Sequence, residues 1–171
     1  MDEEIGFKDR KAKKTFLRYA LPCSDEKDRG KIIKCINKGL DIDMDLSESF
    51  PMALNVLKIS SNEKGKKWID EETVRRYFWF KHAEVLKENN PEKKIDKCLV
   101  LPGKVQEKIE GDEEISVSLI NGEKRTVKTH LIKNVGENSL ITVHWNYGCE
   151  KITEGDKKEI KDFLLRLKVI E

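Results

Sequence analysis

The four cysteines, at positions 23, 35, 98 and 149, include no Cys-x-x-Cys pair. That absence argues against a zinc knuckle, which needs two thiolates at such short spacing, and turns attention to single thiols. Also missing is any apolar run approaching the ~20 residues that cross a bilayer, so no membrane span is expected. The opening Met1-Asp2-Glu3-Glu4 has neither the basic start nor the apolar core of a secretory leader. The expectation is a cytoplasmic protein with reduced thiols. Charge of one sign is absent too: 34 basic and 32 acidic side chains leave a formal +2, which gives no mandate for a polyanionic partner. Aromatic residues are few, at 7%, and the region between residues 95 and 152 holds only Trp145 and Tyr147.

Charged residues are abundant, at 39%, with Lys and Glu intermixed in the manner of a solvated, ion-paired surface. Such enrichment is common in heat-adapted proteins. With 171 residues, 37% of them hydrophobic, the chain suits one large domain or two small ones.

Between residues 8 and 88 the apolar spacing is helical. A basic segment from Lys8 to Tyr19 gathers Phe16, Leu17 and Ala20 at its end and stops at Pro22. A second helix, Asp28 to Lys38, groups Ile32, Ile33, Cys35 and Ile36, with Gly39 suited to a left-handed cap, so Cys35 is assigned to the core. Ser47 or Ser49 is expected to cap a third helix that tolerates Pro51 in its first turn and offers Met52, Leu54, Val56, Leu57 and Ile59 as its apolar surface. Asp70 is expected to cap the longest helix, about 71–88, with Glu71 and Glu72 placed favourably against the dipole. Within it Tyr77-Phe78-Trp79-Phe80 puts aromatics on every side, so one stripe must face something beyond its helical neighbours, either packing or a docking surface for a partner.

The polar stretch Asn89-Asn90-Pro91-Glu92-Lys93-Lys94 separates helical from alternating sequence, and the boundary is drawn there: a helical domain at 1–94 and a second domain at 95–171. In the second, Ile115, Val117 and Leu119 alternate with serines up to a hairpin at Asn121-Gly122. Parity decides the loop. A two-residue loop would set Val127 opposite Ser116, on the wrong face, whereas a three-residue loop pairs Leu119 with Glu123 and Val127 with Ile115, with Gly122 left-handed. Further strands are expected at Thr126 to Ile132 and Ser139 to Trp145, and four or five such strands most economically close into a small barrel. Thr153 caps a final helix striped by Ile160, Phe163, Leu164 and Leu167. The fold class is therefore α+β.

One stretch carries chemistry. In Lys97-Cys98-Leu99-Val100-Leu101-Pro102-Gly103-Lys104-Val105 a cysteine opens an apolar strand that a Pro-Gly pair is expected to break, leaving the thiol on the rim of the sheet. Cys98 to Val105 resembles the opening of the HypC/HupF family of hydrogenase-maturation chaperones, whose Cys-x-x-x-Pro-Gly segment handles the iron of [NiFe] hydrogenases. Thr142-Val143-His144-Trp145-Asn146-Tyr147-Gly148 resembles the histidine-bearing segment near the end of the same barrel, and the likeness spans about Cys98 to Ile152. The family cysteine directly follows the initiator methionine, whereas Cys98 follows Lys97 inside the chain.

The resemblance implies a HypC-like, OB-like barrel in a non-enzymatic accessory protein. Cys98 would be the ligand of an iron carrying cyanide and carbonyl groups, His144 would support it, and Pro102 and Gly103 would shape the turn that presents the thiol. The implied partners are a maturation scaffold protein, the hydrogenase large subunit, or both. A thiolate and an imidazole suit such iron. Against this stands the plainer reading, in which Cys98 is an ordinary buried cysteine and His144 a hydrogen-bonded edge residue. Cys149 could add a third ligand or a resolving thiol, but burial as a small hydrophobe is the better account, and His82 and His130 are read as structural. A nucleic-acid module is the competing class, motivated by Lys8, Arg10, Lys11, Lys13, Lys14, Arg18, Lys64, Lys66 and Lys67 beside a barrel. The scarcity of barrel aromatics and the acidic Glu107, Glu110, Asp112, Glu113 and Glu114 weigh against it. A thiol enzyme using Cys98 as nucleophile and His144 as base lacks a nameable third group.

Overall fold

A computed structural model describes residues 5–39, 45–90, 95–109 and 113–171. The leader reading at Met1–Glu4, the linker residues 91–94 and the acidic Glu110 and Asp112 lie outside them. The chain forms two compact units, Met1–Tyr77 and Phe78–Glu171.

The first unit is helical. α1 (Arg10–Ala20) starts where the Asp9 carboxylate accepts the Ala12 N–H at 2.9 Å, and it buries Ala12, Phe16, Leu17, Tyr19 and Ala20. Phe16 anchors the core, its ring 5.3 Å from Phe7 and 5.5 Å from Phe50. A 3-10 turn through Pro22 leads to α2 (Glu26–Lys38), which ends on Gly39 at φ 68° with Cys35 buried, as the sequence reading expects. α3 (Leu46–Ser49) and α4 (Pro51–Glu63) correct that reading: Asp45 caps α3 through the Ser47 and Glu48 N–H groups, and α4 begins behind Phe50 with no side-chain cap. A carboxylate one residue upstream takes both donors, so neither Ser47 nor Ser49 is needed there. Of the apolar surface of α4, Leu54 and Leu57 are buried while Met52 and Ile59 face solvent.

α5 (Glu71–Arg76) carries the cap legible in the sequence. Asp70 accepts the Thr73 N–H at 2.9 Å and the Thr73 hydroxyl at 2.7 Å, and pairs with Lys66 at 2.7 Å. Burial opposes its charge, but the Lys66 ammonium and the two Thr73 donors outweigh that cost and hold its pKa down at about 2. A depressed carboxylate contributes stability that is present above the ordinary value of 3.8 and lost as pH falls toward 2. Asp70→Ala is expected to lower stability by about 1–2 kcal/mol near neutral pH. Asp70→Asn keeps a cap but loses the charge, so urea unfolding across the acid limb should show a flatter pH dependence than the parent.

The helix then widens. Tyr77–Lys81 is π-helical, and α6 (His82–Asn89) resumes the α form. The extra residue per turn re-aims the aromatics. Tyr77, Phe78 and Trp79 are buried, so the run is not an exposed docking face, and Phe80 packs edge-on against Phe163 at 4.9 Å.

The second unit is built on a closed five-stranded barrel: β1 (Val100–Ile109), β2 (Glu114–Leu119), β3 (Lys124–Lys128), β4 (Leu140–His144) and β5 (Tyr147–Lys151), in the order β1-β2-β3-β5-β4. The β2–β3 hairpin has the expected parity, with Ile115 opposite Val127, the Leu119 N–H on the Glu123 carbonyl at 2.8 Å, and Gly122 at φ 86°. β3 ends before the expected Ile132: the Thr129 N–H still pairs with the Glu113 carbonyl at 2.9 Å, but the chain then turns, the Ile132 N–H reaching back to the Thr129 carbonyl at 3.3 Å.

β1 runs straight through Pro102-Gly103, contrary to the expected strand break. Pro102 pairs with Thr142 of β4, and on the other side its carbonyl accepts the Ile120 N–H at 3.1 Å just beyond the end of the β2 ladder, so the missing proline N–H forgoes a single terminal bond. Residues paired across an antiparallel ladder share a face. Leu101, Gly103, Val105, Val117, Leu119, Ile141 and Val143 therefore line the interior, while Val100, Pro102, Thr142 and His144 lie on the outer face of β1 and β4. α7 (Glu154–Leu167) packs on β1, capped by Thr153 and Asp156 in a reciprocal capping box, with Ile160 and Leu164 buried. Lys87 ties α6 to the Leu167 carbonyl at its far end. No helix among the described residues is long and apolar enough to cross a membrane.

Candidate functional site

The mouth of the barrel forms where β1 begins and β4 ends. Val100 pairs with His144, so the segment before Val100 runs beside the segment after His144. Residues 95–99 form a tight turn in which the Ile95 carbonyl accepts both the Cys98 N–H (2.9 Å) and the Leu99 N–H (3.0 Å). The Lys97 carbonyl accepts the Trp145 N–H at 3.0 Å. This bond fastens the cysteine turn to the β4–β5 hairpin and brings together the two segments singled out in the sequence.

Cys98 is partly buried and carries no disulfide. Burial pushes its thiol pKa above the ordinary 9.0, so it is protonated at neutral pH. An activated nucleophile needs the opposite shift, which speaks against the thiol-enzyme reading. His144 is fully buried, its ring among Phe78 (6.4 Å between centroids) and His82 (5.4 Å, edge to face). The sequence reading treated His82 as a structural residue on the helix face. In the fold its Nε2 lies 3.0 Å from the Cys98 carbonyl, and because a carbonyl only accepts, Nε2 carries the proton and donates. Burial lowers the His82 pKa while that hydrogen bond opposes the shift. The spacing Phe78-x-x-x-His82 signals a shared face, and the rings do meet at 5.8 Å. What lay beyond the sequence was the strand that face would meet.

Pro102 and Gly103 are buried within β1 and present no turn. A Cβ on Gly103 would collide with Val117 Cγ1 and stand 2.8 Å from Leu119 Cδ2. The missing Cβ leaves the room over β1 that the Val117 and Leu119 side chains of the neighbouring strand β2 occupy. Cys149 is buried, its Sγ 3.7 Å from the Tyr147 carbonyl, in line with the hydrophobe reading. His130 stands beside the start of β5, its ring 6.5 Å from Tyr147 and its Nδ1 2.8 Å from Glu113.

Trp145 was not singled out as a site residue, yet it closes the mouth. It sits at φ 55°, uncommon for a bulky residue, and is 38% exposed. Its N–H is held by Lys97 and its carbonyl by Arg125 Nη1 at 2.8 Å. Arg125 in turn forks onto Glu123 at 2.9 and 2.7 Å. Ties on both sides of the peptide hold the strained residue in place.

Among the described residues, no three His, Cys, Asp or Glu side chains gather as a group that could hold a metal ion. Cys98 contributes one partly accessible thiol, and the turn that carries it is bonded through the Cys98 carbonyl to His82, whose ring meets that of buried His144. No family model matches the chain, and no curated protein matches it.

Proposed function

We propose that the protein is a non-enzymatic accessory protein of the HypC/HupF-like kind, which offers Cys98 at the mouth of an OB-like barrel to an iron centre carried by a maturation partner. The observation that supports it is the bond between the Lys97 carbonyl and the Trp145 N–H, which joins the cysteine turn to the histidine-bearing strand end. A single thiol suits transient transfer. Iron is here a cargo that arrives with cyanide and carbonyl ligands and with donors from the scaffold or the hydrogenase large subunit, so Cys98 supplies one soft donor and no resident cage is required. A protonated thiol becomes a ligand by releasing its proton as the metal binds, which makes capture weaker at lower pH. His144 has the supporting role, its buried ring packed against His82, which holds the cysteine turn.

The test is iron content after anaerobic purification of the full chain from cells that make [NiFe] hydrogenase. Cys98→Ala should lose the bound iron and the co-purifying maturation protein, while Cys149→Ala keeps both. Equal iron and equal partners in Cys98→Ala and parent would remove the assignment of the thiol.

A further inference from the structure

The turn that carries Cys98 has one internal closure and two external ties. Internally, the Ile95 carbonyl takes the Cys98 and Leu99 N–H groups. Externally, the Lys97 carbonyl takes the Trp145 N–H, and the Cys98 carbonyl takes the His82 Nε2–H at 3.0 Å. The second tie comes from a different kind of element. Trp145 belongs to the hairpin that continues β4, whereas His82 is the first residue of α6, directly after the π-helical segment.

We propose that His82 is the positioning residue of the barrel mouth: by donating Nε2–H to the Cys98 carbonyl it holds the 95–98 turn closed and sets how far the Cys98 thiol is offered to solvent. Its ring is itself held, 5.8 Å from Phe78 and edge to face with His144 at 5.4 Å, so the donor direction is fixed by packing. The carbonyl, which only accepts, requires an Nε2–H on the ring, and burial opposes the charged form. Losing the donor while keeping an apolar ring-sized body would leave the Cys98 carbonyl to seek water, and the turn would open to reach it. The role thus belongs to the N–H and not to the bulk of the side chain.

The inference rests on reading Cys98 as the working group, but its test needs neither iron nor partner. The probe is iodoacetamide, added to the folded full chain, with the rate read at each cysteine-containing peptide by mass spectrometry. Exposed Cys23 serves as the rate reference, and buried Cys149 reports whether the barrel remains folded. His82→Leu should raise the Cys98 rate about fivefold or more relative to Cys23, the change in local opening expected from losing one hydrogen bond. His82→Gln, which retains a side-chain N–H donor, should stay within about twofold of the parent. An unchanged Cys98 rate in His82→Leu with Cys149 protected overturns the proposal, as does a His82→Gln rate equal to that of His82→Leu. If His82→Leu also exposes Cys149, the glutamine variant decides: protection of Cys98 supports the proposal and its loss overturns it. Loss of iron capture with this pattern intact would remove the iron reading and leave His82 in its role.

Discussion

Gly103→Ala is expected to cost about 3 kcal/mol, and Gly103→Val to prevent the barrel from closing. Gly103 faces the interior, paired with Leu119 on one side and Ile141 on the other. The added carbon would collide with Val117 Cγ1, stand 2.8 Å from Leu119 Cδ2 and lie 3.1 Å from the Ser118 carbonyl oxygen. The first neighbour is a β-branched side chain with little rotamer freedom and the third is backbone, so neither can yield cheaply. In a closed barrel, moving one strand outward strains the pairing on both its edges. Gly148 supplies the contrast. Its nearest neighbour, Ile132 Cδ1 at 2.7 Å, is the far end of a flexible side chain, so Gly148→Ala should cost about 1 kcal/mol or less. Urea midpoints of the two alanine variants give the comparison, and equal losses would show that interior closeness at Gly103 is not what the barrel depends on.

Arg125→Ala is expected to cost about 2–3 kcal/mol, the second largest effect. The guanidinium makes three charge-assisted bonds, two to Glu123 and one to the Trp145 carbonyl, with its side chain only 9% exposed. Hydrogen bonding to Arg125 lowers the Glu123 pKa against the opposing effect of burial, so truncation removes both guanidinium donors from that carboxylate and leaves the Trp145 carbonyl without its side-chain donor. Lysine cannot restore the fork, since its ammonium lacks the planar bidentate geometry. Arg125→Lys should therefore recover less than half of the loss in thermal unfolding. Full recovery by lysine would mean that charge alone, without geometry, holds the mouth.

Features encoded within four or five residues were legible in the sequence. Gly39, Asp70 and Thr153 act as the caps their chemistry suggests, and parity alone fixed the Asn121-Gly122 hairpin because one buried face admits one register. Features that depend on what comes from elsewhere were not. Pro102-Gly103 reads locally as a break, but closure of the barrel requires a residue without a Cβ and places the proline at the terminal rung of the β2 ladder, where one absent N–H is tolerated. Ser47 and Ser49 are plausible caps by type, but Asp45, immediately before α3, is the acceptor that takes both donors. His82 looked like one more helix-face histidine, and nothing in its spacing names the carbonyl it holds. Of the candidate site, the backbones of the Cys98 and His144 segments lie side by side, while the arginine clamp and the buried imidazole pair depend on packing that no local spacing encodes.

The claim that Cys98 handles iron bearing diatomic ligands is tested most directly by the infrared spectrum of the anaerobically purified full chain. The account predicts cyanide and carbonyl stretching bands in the parent that vanish in Cys98→Ala and persist in Cys149→Ala. A parent spectrum without such bands, or the same bands in Cys98→Ala, would contradict it.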